Sequence, residues 1–167
     1  MTMGHIGIAV FAVGVSLTSL YSIEKDLRMD AGETITLADY EFTFGGVSQV
    51  TGPNYFAEEG LLEVRKNGKD VATLRAQKRE YDTSQMGIMT EAAIDAGLTR
   101  DLYFALGESL DANAWSMRIY HKPFIRWIWL GAIFMALGGL IAVMDKRYRR
   151  VRRKVTESSS AREIISS

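Results

Sequence analysis

Ile125-Arg-Trp-Ile-Trp-Leu-Gly-Ala-Ile-Phe-Met-Ala-Leu-Gly-Gly-Leu-Ile-Ala-Val-Met144 runs straight into Asp145-Lys-Arg-Tyr-Arg-Arg-Val-Arg-Arg-Lys154, and this junction decides how the rest of the chain is read. The first part is apolar except for Arg126. Twenty helical residues rise about 30 Å, the thickness of a bilayer's hydrocarbon core. Trp127 and Trp129 stand at the start of the block, where amphipathic rings favour the headgroup level. Arg126 can snorkel outward from that end. Between Lys146 and Lys154 there are seven basic residues and no acidic one, a cytoplasmic marker when it directly follows a span. The block therefore predicts a membrane helix with its Trp-bearing end outside.

A second apolar block runs from Gly4 to Ile23 and contains no Asp, Glu, Lys or Arg. A cleaved signal peptide is the competing reading. It needs a basic leader, but Met1–His5 carries no Lys or Arg and no A-x-A-like site follows. Two spans with a basic inner end divide the chain into helix 1 (residues 1–23), an outer domain (24–122), helix 2 (123–145) and an inner tail (146–167). Both termini fall on the cytoplasmic side, and the Ser-rich end from Thr156 to Ser167 reads as disordered. The charges agree with this division. The formal net charge of zero conceals 11 Lys and Arg against 17 Asp and Glu between Glu24 and Lys122, while the tail is basic. Charge segregated in this way reports compartments, not a nucleic-acid surface. The absence of cysteine excludes disulfides and thiolate chemistry, so the side of the membrane is assigned from topology alone.

Short strand-like runs fill residues 33–122. Thr34–Leu37 and Tyr40–Phe44 alternate in polarity, Gly45-Gly46 and Thr51–Asn54 act as breakers, and Leu61–Arg65 faces Val71–Arg75 across Asn67-Gly68. Asn-Gly between two such runs is a two-residue hairpin signal. Asp101–Leu106 and Trp115–Tyr120 read as two later strands. Met89–Leu98 is ambiguous between helix and strand. The fold class expected is a membrane protein in which two transmembrane α-helices flank a small, mainly antiparallel β domain, either a sandwich or an open barrel.

The chemistry-bearing residues are few. His5 lies in the first turn of a span, where an ionisable group is costly and is a functional candidate by default. Ala9, Ala12, Ser16 and Ser19 follow it at helical spacing. A smooth face beneath an imidazole leaves room for a flat macrocycle, and equally for close packing of a neighbouring helix. His121 reads as an interfacial polar residue beside Lys122-Pro123. Glu58, Glu59, Glu91, Asp95, Asp101 and Glu108 read as a solvated face, because nothing marks two of them as a catalytic pair. No phosphate loop, zinc motif or nucleophile elbow occurs. A channel or transporter role has no evident pathway in two spans with one ionisable residue.

Several separated stretches resemble the C-terminal part of the CcmF/NrfE family, the membrane subunit of the bacterial cytochrome c haem lyase. They are Gly4–Phe11, Thr51–Asn54, Met89–Asp95, Asp101–Tyr103 with Ala105–Glu108, and Lys122–Trp129, continuing through Gly131–Arg147. The resemblance covers about residues 3–150. It implies a location in the bacterial inner membrane and a role in attaching haem to apocytochrome c. The implied partners are a haem chaperone, apocytochrome c, other maturation subunits, the remainder of the lyase subunit and membrane lipid, with no nucleic acid. It also implies that His5 is an axial ligand to the iron of a membrane b-type haem shared with another segment or chain, with Ala9, Ala12 and Ser16 on the haem face. The family's Trp-rich haem-handling loop and its other histidines have no counterpart here. The chain is accordingly expected to be a fragment or one piece of a split subunit, without lyase activity alone. The competing reading is a non-enzymatic, membrane-anchored binding or assembly module that carries no haem.

Overall fold

A computed structural model describes residues 2–82 and 87–144. The basic run 146–154 and the Ser-rich end lie outside the described residues. The element order is α1 (Thr2–Tyr21), β1 (Ile23–Asp30), β2 (Thr34–Leu37), β3 (Tyr40–Thr51), β4 (Tyr55–Lys66), β5 (Lys69–Tyr81), β6 (Ile88–Glu91), β7 (Ala93–Ala96), β8 (Arg100–Ser109), β9 (Ala114–Pro123) and α2 (Ile125–Met144). The chain divides into two compact units, one holding 1–15 with 127–167 and the other 16–126. Both helices are long and apolar enough to cross a membrane.

The domain between the helices is a β-sandwich, which resolves the choice between sandwich and barrel. One sheet has the order β1-β9-β8-β7 and the other β2-β3-β4-β5-β6, and every pairing is antiparallel. Alternation along the strands sends Phe42, Phe44, Leu62, Val64 and Leu74 inward from the five-stranded sheet. Leu102, Phe104, Leu106, Met117 and Ile119 meet them from the other. Burying each of these large side chains contributes roughly 1.5–3 kcal/mol, so this double row holds the layers together.

Three local expectations change. Gly45-Gly46 is no breaker: β3 runs through it as a bulge, with a register shift between Phe44 and Gly46 and φ +95° at Gly46. The pleat continues because an extra residue is absorbed without ending the ladder. The ambiguous segment becomes two four-residue strands in different sheets, β6 on β5 and β7 on β8. Edge pairing outweighs the helical preference of its Ala and Glu. Strand β1 lies upstream of the expected start at residue 33. Charges at Glu24, Lys25, Asp26, Arg28 and Asp30 hide its alternation, yet Leu27 and Met29 turn toward the core.

The Asn67-Gly68 turn forms as expected, with φ of +51° and +73°. β1 begins at Ile23 opposite His121 of β9, so both helix connections leave the same end of the four-stranded sheet.

Candidate functional site: the helix pair and the sandwich end that joins it

The absence of side chains brings α1 and α2 together. Gly7, Gly14, Gly131 and Gly138 are the buried residues of the two helices. A Cβ on Gly7 would lie 2.7 Å from the Met135 amide nitrogen and 2.8 Å from the Gly131 carbonyl oxygen. One on Gly14 would lie 2.8 Å from the Ile128 nitrogen, and one on Gly138 would lie 2.7 Å from the Gly4 nitrogen. The contacts run in opposite order along the two helices, so the pair is antiparallel and its backbones touch. Glycines seven apart on both helices place this seam on one face of each.

His5 is on the other side. It stands two positions before Gly7, about 200° round a helix, so its Cα–Cβ direction lies about 160° from the seam. Ala9, Ala12, Ser16 and Ser19 share its face, and all five are exposed. The packing alternative weighed for this stripe is therefore not its use against α2, because the glycines take that role. The sequence signal for the seam is the seven-residue glycine spacing, which lies on the face of α1 away from His5. The His5 face fits one axial position of a haem. It offers one imidazole above alanines and serines that leave space for a planar ring.

At the sandwich end that leads into both helices, residues from five strands converge. The Tyr40 and His121 rings are 5.8 Å apart, and the Lys66 ammonium lies 4.5 Å from the Tyr40 ring centroid. The Arg100 guanidinium lies 5.4 Å from that ring and donates to the Tyr40 hydroxyl at 3.3 Å. Arg100 also donates to the Asp95 carboxylate. The His121 Nδ1 is buried with no hydrogen-bond partner among the described residues. Burial first, then the nearby Arg100 and Lys66 charges, push its pKa down, against a smaller upward pull from Asp39. The expectation of a plain interfacial histidine misses this, since long-range pairing brings Arg100 and Lys66 to it.

The acids singled out from sequence are each engaged. Glu59 accepts from Gln77 at 2.6 Å and from Arg75 at 2.9 Å, and these bonds hold its carboxyl below the usual range. Glu58 takes Gln49 at 3.4 Å, and Glu91 faces Arg79 at 3.6 Å. Glu108 receives the buried Lys78 ammonium at 2.8 Å, tying β5 of one sheet to β8 of the other. Asp101 is buried, accepts the Gly97 amide at 3.1 Å and lies 3.8 Å from Arg126. Among the described residues, no three His, Cys, Asp or Glu group as a metal site.

Comparison with known proteins assigns the family. The model of the CcmF C-terminal β-sandwich matches residues 20–123. The chain belongs to the CcmF C-terminal family. A cytochrome c-type biogenesis protein CcmF from Pseudomonas aeruginosa is 50% identical over 95% of this chain. CcmF from Escherichia coli is 46% identical over 99% of it. A cytochrome c-type biogenesis protein NrfE from Haemophilus influenzae is 35% identical over 90%. This chain covers 24%, 25% and 24% of those relatives, about a quarter of their length. A solved structure titled cytochrome c heme lyase CcmF superposes with a TM-score of 0.66 at 21% identity, over 83% of this chain and 23% of that one. That likeness shows the fold. The CcmF match spans the sandwich and, through the relatives, also the two helices that carry the glycine seam and His5.

Proposed function

We propose that this chain is the C-terminal portion of a cytochrome c haem lyase membrane subunit, contributing one axial ligand to a membrane b-type haem and a periplasmic domain to cytochrome c maturation. Both helices cross the bacterial inner membrane, the sandwich lies on the periplasmic side, and the flanking segments are cytoplasmic. The observation that carries the reading is the membership in the CcmF family together with the direction of His5, away from α2.

The surfaces of the two helices support it. The outer side of α2 is large and apolar, with Trp129, Ile133, Leu140 and Ile141 more than half exposed, which suits lipid. The outer side of α1 through His5 is small and partly polar, which suits a neighbour in a bundle. An axial imidazole holds haem iron and helps set its potential together with the polarity of the pocket. His5 supplies one such ligand, and the second comes from another segment or chain. Haem chaperone and apocytochrome c are met on the periplasmic side by the assembled subunit, and this quarter alone is inactive as a lyase.

The test is His5→Ala in the chain produced together with the remainder of its lyase. Loss of the b-type spectrum with the complex still assembled supports the ligand role. A full spectrum in the variant removes it and leaves a membrane-anchored assembly module as the better account.

A further inference from the structure

We propose that Gly7 and Gly131 are positioning residues for haem ligation: the backbone-to-backbone seam fixes the rotation of α1, and that rotation aims His5. The inference rests on the ligand reading given above. Helices packed through ordinary side chains sit 8–10 Å apart and absorb small rotations by changing rotamers. This pair has no such slack. A Cβ on Gly131 would fall 2.5 Å from the Phe11 amide nitrogen and 2.7 Å from the Gly7 carbonyl oxygen, and one on Gly7 would meet Met135 and Gly131 backbone atoms. Backbone atoms cannot rotate aside. The contacts recur at Gly4, Gly7, Phe11 and Gly14 along α1, so the helix is held at several levels, and His5 lies between the first two.

A ligand must be held within roughly 0.5 Å and 10–20° of its productive geometry. An added methyl at the seam would have to part or turn the helices, and His5 would move with α1. The same geometry excludes α2 as donor of the second axial ligand. It lies on the opposite side of α1, and Met135, its soft-donor side chain nearest this level, sits in the seam.

The experiment uses the full chain assembled with the remainder of its lyase and reads haem content and electron paramagnetic resonance per assembled complex. Gly7→Ala and Gly131→Ala should lower haem affinity by about tenfold or shift the low-spin signal, as displaced supporting groups do. Gly139→Ala should match the parent, since a Cβ there meets nothing within 4 Å. A free ligand separates aim from folding. In His5→Gly, added imidazole should restore the haem signal. It should restore the signal equally in His5→Gly combined with Gly7→Ala, because a free imidazole does not depend on the setting of α1. Seam variants with the parent's spectrum overturn the proposal. So does a double variant that imidazole fails to restore, whether through altered structure or aggregation, since the seam is then purely structural. If His5→Gly keeps its haem without imidazole, the ligand reading fails and this inference falls with it.

Discussion

His121 shows how much a fold can change one side chain. Its ring is packed beside Tyr40, its Nδ1 has no partner among the described residues, and Arg100 and Lys66 oppose its protonation. The folded pKa is therefore below the ordinary value near 6.5. Below that value the unfolded chain takes up a proton that the folded chain resists, so stability is full above about pH 6.5 and falls as pH drops toward the folded pKa. Denaturation midpoints of the detergent-solubilised chain, followed by Trp115 fluorescence, should fall between about pH 7.5 and about pH 5.5 more steeply than those of His121→Gln. Equal slopes would show that the imidazole is relieved by a partner in solution. His5 is a different case, since its use depends on what covers the exposed face of α1.

The hairpins carry the clearest predictions at the level of elements. Asn67-Gly68 joins the two long strands of the five-stranded sheet, and both residues have positive φ. Gly68→Val places a β-branched residue at φ +73° and should cost about 1–2 kcal/mol in urea unfolding, with loss of the β4–β5 hairpin amide protection. The β2–β3 turn has the same conformation without the favoured residues, at Ala38 with φ +49° and Asp39 with φ +64°. Ala38→Gly should stabilise by about 0.5–1 kcal/mol, the left-handed strain removed less the entropy added to the unfolded chain. A destabilised variant would mean that the turn is not strained. Along α1 and α2 the deciding residues are also glycines, but for closeness of approach and not for dihedral freedom.

For the whole molecule, the prediction concerns which side of the membrane each part occupies. Two helices long and apolar enough to cross a membrane flank one domain, so crossing by both would put the sandwich on one side and the flanking segments on the other. On the function proposed above, the seven bases after α2 put the flanks in the cytoplasm. A reporter active only in an oxidising compartment should work when inserted at the Asn67 turn and fail when fused after Lys154. The reverse pattern would overturn the orientation and the periplasmic role with it. Lys78 reaching Glu108 and the double row of apolar side chains make the sandwich one body. An insertion at the exposed Asn67 turn is therefore expected to leave its core intact.

What the sequence determined by itself was whatever local pattern controls: two apolar blocks of spanning length, an Asn-Gly hairpin, alternating strands and the family stretches around His5. Those signals act over a few residues, and neighbours in the chain are sufficient to set them. Tertiary structure alone decided the rest. It made β1 a strand by pairing Ile23–Asp30 with β9, although that run is dense in charge. It split Met89–Leu98 between two sheets because each half found a different edge. It gathered Tyr40, Lys66, Arg100 and His121 from distant segments. It also chose the glycine face of α1 for α2, because only backbones free of Cβ atoms approach that closely, and so turned His5 away from it.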